Sequence, residues 1–174
     1  MTNVAEKAKA YAYTKHVNQT HGVRPFTQHL TEVVETLHEF GITDVDLTAA
    51  AWLHDVVEDT DTTIEDIYVE FGARVGDLVD ALTDGAGPTR LIKKQKPYTT
   101  IPNVKGAVLV KLADRIANVR HTVREGAIAA RYFKTYKTEH AGFTEALKKK
   151  DEAKDMWDEV DALLSIKSLP AILK

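Results

Sequence analysis

The stretch Ala51–Thr63, AWLHDVVEDTDTT, decides how this chain is read. It opens as a buried helix does, with Ala51, Trp52 and Leu53. It then sets His54 beside Asp55 and follows with Glu58 and Asp59. Leu47, Ala50, Ala51 and His54 fall at i, i+3, i+4 and i+7, so His54 points where the helix buries its apolar stripe. Burying so many ionisable groups without compensation is very costly. Two readings are open for His54: a core histidine satisfied by hydrogen bonds, or a ligand to a cation that compensates the carboxylates. Imidazole and carboxylate donors together suit manganese, iron, zinc or cobalt better than calcium.

Outward from that stretch the apolar spacing is helical nearly throughout. Asn3 can cap a first helix reaching about Asn18, with Ala8, Tyr11, Ala12 and Val17 facing inward. A second helix, near Thr27 to Phe40, carries Leu30, Val33, Val34 and Leu37, and Gly41 stands at its C-terminal cap. Thr43 or Asp44 caps the helix that leads to His54. Thr62 and Glu65 stand at capping-box spacing for the next one, which Gly72 ends. Val75, Leu78, Val79 and Leu82 make a fifth. Gly85–Asn103 holds three prolines and reads as a long irregular loop. Pro102 suits the first turn of a helix that runs through Ala107, Val110, Leu112 and Ile116 and ends near Gly126. Two amphipathic helices fill 127–166, and no period-2 strand pattern is convincing. The expectation is one all-α domain over 1–174, a bundle of about seven or eight helices.

Composition narrows the function classes. Of 174 residues 44% are hydrophobic, enough for a sizeable core. The absence of cysteine excludes disulfides and thiolate metal sites. A net charge of −3 argues against a non-specific nucleic-acid binder. No apolar run approaches the ~20 residues of a membrane span, and MTNVAEKAKAY lacks a signal-peptide core. A cytoplasmic protein with no membrane or nucleic-acid partner is expected. The charge is also polarised: Thr31–Asp84 holds fifteen Asp/Glu against Arg74, while Gly85–Arg131 holds ten Lys/Arg against Asp114 and Glu125. Two solvated faces would explain this, and so would a cation site facing a phosphate site.

Two further ligand candidates stand apart from the opening stretch. His29 begins the second helix and precedes Val33 on one face. Asp114 lies in LVKLADRIANVR, Leu109–Arg120, and forms a polar stripe with Asn118 and His121 at i, i+4 and i+7. That stripe is a solvated face or part of the site; Lys111, Arg115 and Arg120 already supply polar groups on the opposite faces.

His29, His54-Asp55 and Asp114 resemble the H…HD…D signature of the HD-domain metal-dependent phosphohydrolases, an all-α superfamily. HDVVEDTDTTIEDI, the following EFG and KLADRIANVR further resemble the hydrolase domain of RelA/SpoT-type alarmone enzymes and the small stand-alone alarmone hydrolases. The motif-bearing part is about 19–125. The resemblance implies removal of the 3′-pyrophosphate from (p)ppGpp with manganese. Its metal ligands would be His29, His54, Asp55 and Asp114, with Glu58 and Asp59 orienting or deprotonating the water. Arg115 and Asn118 would steady the site and contact the nucleotide. On charge alone, Arg90, Lys93, Lys94 and Lys96 are expected to close over the phosphates.

The segment QTHGVRPF, Gln19–Phe26, departs from that family's pattern. Thr20 stands where a base-stacking arginine is expected, with His21 and Arg24 as candidate substitutes, and His121 stands where a threonine is common. Nucleoside or deoxynucleoside triphosphates and the 2′-phosphate of NADPH therefore remain alternative substrates. A non-catalytic nucleotide sensor or antitoxin-like partner is a further alternative, against which Glu58-Asp59 argues, since a pure binder need not activate water. An all-α interaction module would leave the four ligand positions a coincidence. The length has no room for a synthetase domain, so a separate alarmone synthetase is the expected functional counterpart; self-association is open.

Overall fold

The computed structural model describes residues 3–22, 24–149 and 152–170. Among them α1 spans Val4–Lys15, α2 Phe26–Glu39, α3 Val45–Leu53, α4 Val56–Asp59 and α5 Ile64–Phe71. Next come α6 Ala73–Leu82, α7 Arg90–Thr100, α8 Ala107–Glu125, α9 Ala130–Leu147 and α10 Lys154–Ser165. Short 3-10 turns at Ile101–Asn103 and Gly126–Ala129 bracket α8. One antiparallel pair, β1 Thr20–His21 with β2 Arg24–Pro25, joins α1 to α2. The architecture is all-α, as expected.

Two helices form the interior. Every residue of α3 from Leu47 to Leu53 is buried, which fits a helix that is apolar all round rather than on one stripe. Helix α8 buries eleven side chains and packs against α2, α3, α9 and α10. Its N-cap is Gly106, whose φ of +84° suits glycine, and a Cβ there would fall 2.8 Å from Leu47.

Local chemistry shifts several expected boundaries. Helix α1 stops at Lys15, so Val17 lies beyond it and is 70% exposed rather than facing inward. The capping box is Thr63 with Asp66, not Thr62 with Glu65. The Thr62 hydroxyl is engaged with Thr60 and Tyr11, so the chain enters α5 one residue later. Pro102 lies in the 3-10 turn, and α8 begins only at Ala107.

The largest correction concerns Gly85–Asn103, most of which is helix α7 with Pro97 inside it. An interior proline deprives the carbonyl four residues earlier of its partner. That carbonyl, on Lys93, accepts instead from the Gly85 N–H at 2.9 Å. The Thr89 hydroxyl caps the helix on Ile92 N–H.

The charge polarity is partly consumed within the fold. Glu32 accepts from Arg24 and Arg124, Glu39 from Arg120, Asp80 from Lys96 and Asp84 from Lys94. Among the described residues no helix is long and apolar enough to cross a membrane.

Candidate active site

Three helices bring the four ligand candidates together. His29 sits in the first turn of α2, 1% exposed. His54 ends α3, and the chain bends at Asp55 before α4. Asp114 comes from the middle of α8. His54 Nδ1–H donates to the Ala51 carbonyl at 2.8 Å, which leaves Nε2 as the inward-facing atom. That atom lies 3.1 Å from Asp55 Oδ2 and 3.8 Å from Asp114 Oδ1. His29 Nε2 lies 3.7 and 3.5 Å from the same two oxygens. Ligand atoms of His29, His54 and Asp55 all fall within 4.8 Å of one another.

The donor set fits a divalent cation. His54 Nε2 is buried with no hydrogen-bond partner, aimed at two carboxylates. Two imidazole nitrogens with carboxylate oxygens make the mixed set such ions take. Burial depresses the His54 pKa, but Asp55 and Asp114 outweigh it and raise it to about 9. Burial likewise opposes ionisation of Asp55, yet His54 and His29 hold its carboxyl well below the usual range.

Asp114 has a second duty. Its Oδ2 accepts from Lys111 Nζ at 3.0 Å and its Oδ1 from Asn118 Nδ2 at 2.5 Å. Lys111, read from the sequence as lying opposite the Asp114 stripe, is 8% exposed: its aliphatic stem is buried and its ammonium ends on Asp114. Against its burial, Lys111 keeps the Asp114 carboxyl low. Arg115 is also buried, its guanidinium 4.8 Å from the Tyr136 ring centre and 4.4 Å from that of Phe143. Asn118 orients Asp114 and also lines the neighbouring pocket.

Glu58 and Asp59 follow on α4. Burial, and then the charge of Asp55, push both their pKa values up. Glu58 Oε1 accepts from the Asp84 backbone N–H at 2.8 Å. Gln19 Nε2 donates to the Asp59 carbonyl oxygen at 2.6 Å, while Gln19 Oε1 accepts from His16 Nδ1 at 2.7 Å. The His16 ring stacks on Phe26 at 4.4 Å. His16 and Gln19 lie in the break after α1, with no apolar period to single them out.

A cavity of about 490 Å³ opens beside these groups, and its walls include His21, Arg90, Asn118, His121, Arg131 and Tyr136. The His21 ring is 4.7 Å from that of His29 and 5.5 Å from that of His121. Burial, with the neighbouring His29, lowers the His21 pKa to about 4, so this ring is neutral. Arg131 and Tyr136 carry no sequence signal of a site; they arrive on α9, whose apolar period marks only a packing face. Other expected substrate contacts are placed elsewhere. Arg24 pairs with Glu32 at 2.7 Å, Lys94 pairs with Asp84 at 2.8 Å, and Lys93 is exposed; none of the three lines the cavity. Val23, in the altered segment, lies outside the described residues.

The HD domain profile matches residues 5–138. The chain is similar to the guanosine-3′,5′-bis(diphosphate) 3′-pyrophosphohydrolase MESH1 of Mus musculus, at 44% identity over 98 residues, covering 55% of each chain. It resembles the protein of the same name from Xenopus tropicalis at 37% identity over 123 residues, covering 68% of this chain and 69% of that one. The match thus spans about half the length of the mouse relative. A solved structure described as "A metazoan ortholog of SpoT hydrolyzes ppGpp and plays a role in starvation responses" superposes with a TM-score of 0.78 at 26% identity, covering 95% of this chain and 96% of that one. A profile match over most of the length, on a fold that gathers His29, His54, Asp55 and Asp114, shows that the chain belongs to the HD-domain family, within its RelA/SpoT-like group.

Proposed function

We propose that this single HD-type domain is a metal-dependent (p)ppGpp 3′-pyrophosphohydrolase that works with Mn²⁺. The observation that carries the reading is the convergence of two imidazoles and two carboxylates beside a carboxylate pair of raised pKa. His29, His54, Asp55 and Asp114 would hold the ion. When bound, a divalent ion acidifies a water and polarises a phosphoryl oxygen.

The remaining work falls to the chain's own groups. Glu58 Oε1 is held by the Asp84 N–H, which leaves Oε2 to take a proton from the attacking water. Its burial makes the carboxylate more basic, which suits a group that must accept that proton. Asp59, whose backbone Gln19 anchors, orients that water. Asn118 fixes Asp114, and Lys111 offsets the negative charge of the ligand set. The cavity takes the nucleotide, with Arg90 and Arg131 for its phosphates and His21, His121 and Tyr136 for its planar base. Nothing in this scheme requires nucleic acid or a membrane. A separate synthetase would supply the substrate in the cytoplasm.

A second reading keeps the reaction and changes the nucleotide. Thr20 carries no planar cation and Arg24 is tied to Glu32, so base recognition here differs from the family pattern. One assay decides between them: product analysis with Mn²⁺ on (p)ppGpp, ATP, GTP, deoxynucleoside triphosphates and NADPH. Pyrophosphate from (p)ppGpp is the expected result, and Glu58→Gln should slow it about 10²–10⁴-fold with metal binding retained. Turnover of another nucleotide with the alarmone untouched would overturn the substrate assignment.

A further inference from the structure

Glu139, on α9, belongs to no motif, yet it lies between two arginines from different helices. Arg90 of α7 donates to it twice, from Nε at 2.5 Å and from Nη2 at 3.2 Å. Arg115 of α8 approaches with Nη1 3.5 Å from Glu139 Oε2. That is a loose contact, and Arg115 Nη1 is buried with no hydrogen-bond partner. The two guanidinium groups also differ in freedom. The Arg90 side chain is half exposed and lines the cavity. Arg115 is 4% exposed and packed against the rings of Tyr136 and Phe143, which confines it to small shifts.

We propose that Glu139 is a positioning residue that parks Arg90 at the cavity wall and yields it to a phosphate of the incoming ligand, while Arg115 takes over the carboxylate's charge. The phosphate rests on the nucleotide reading above; the exchange rests on the geometry. A partly buried carboxylate stripped of its partner is strongly disfavoured. Here the orphaned Arg115 Nη1 stands ready, and closing its gap by about 0.6 Å makes a hydrogen bond of ordinary length. Arg90 can then leave without stranding Glu139, and the buried donor on Arg115 gains the partner it lacks. Lys94 has no such successor: Asp84, which it would leave, has no second cation within ion-pair distance among the described residues. Glu139 therefore competes with the ligand for Arg90 and holds the resting affinity below what a free Arg90 would give.

The test is binding of inorganic pyrophosphate to the metal-free protein, followed by calorimetry. Arg90→Gln should weaken binding. Glu139→Gln should strengthen it by about two- to five-fold, the scale of a half-exposed ion pair. In the Arg90→Gln background Glu139→Gln should have no effect. A residue that merely holds α9 to α7 would give the opposite sign, because its loss would disorder the cavity wall. If Glu139→Gln does not fold, Glu139→Asp shortens the reach to both arginines and, by loosening the Arg90 pair, should tighten binding in the same direction. Unchanged or weaker binding in the folded variant, or the same change without Arg90, overturns the proposal. Because pyrophosphate binding needs no turnover, failure here leaves the hydrolase reading standing, and failure of (p)ppGpp hydrolysis leaves this result standing.

Discussion

His54 carries one of its ring protons to the Ala51 carbonyl, so a single nitrogen faces two carboxylates. Its pKa of about 9 lies above the ordinary 6.5 because Asp55 and Asp114 outweigh the burial of the ring. In metal-free protein this group therefore contributes stability that is fully present below about pH 6.5 and lost as pH rises through about 9. A metal needs the neutral ring, so metal and proton compete for Nε2. Metal affinity should climb as pH is raised toward 9, with a proton released on binding. Titration calorimetry in buffers of different ionisation enthalpy measures that release; an affinity flat across this range would contradict it. The pair His54-Asp55 was legible in sequence because four ionisable groups interrupt an apolar helix within a few positions. Lys111 was not, since a lysine stem covers apolar surface as readily as it reaches water, and only the position of Asp114 decides where its ammonium ends.

Helix α7 shows what happens when a local rule meets a non-local partner. Pro97 and its neighbours read as a loop, and the helix survives because Gly85 bonds the carbonyl that the proline leaves free. Its polar side chains are held by ion pairs of unequal depth. Lys94 and Asp84 are each 12% exposed at their side chains, whereas Lys96 and Asp80 are 34% and 44% exposed. Lys96→Ala should cost no more than about 1 kcal/mol. Lys94→Ala should cost more, because it leaves Asp84 sheltered and unpaired beside the backbone N–H that holds Glu58. Urea denaturation ranks the two, and hydrogen exchange should show α7 opening first in Lys94→Ala; equal losses would refute the ranking. The capping box is a milder case. Thr62 and Thr63 are both competent caps in sequence, and the bond from Tyr11 on α1 to Thr62 selects Thr63.

The whole molecule is arranged around α8, which meets α2, α3, α9 and α10 and brings Asp114 to histidines from the first two. An ion at that point ties α8 to α2 and α3, which lie far from it in sequence. Saturating Mn²⁺, at a thousand times its dissociation constant, should stabilise the fold by about 4 kcal/mol. Thermal melting with and without the ion checks this, and His29→Gln should abolish the increment. An increment that survives His29→Gln would place the ion elsewhere.

By itself the sequence determined the helical period, most of the caps, the all-α class and the identity of the four groups that converge. The period, the caps and the class are encoded locally, in apolar spacing and in hydrogen bonds spanning three or four residues, whereas the four groups were legible as a set through the resemblance of their motifs. Tertiary structure alone decided that Arg24 and Lys94 pair with carboxylates, that Arg131 and Tyr136 reach the cavity, and that Glu139 holds Arg90 beside an unpaired Arg115. Long charged side chains have no period of their own. Their partners are set by which helices pack together, and that packing brings Arg90, Arg115 and Glu139 within reach of one another across three separate helices.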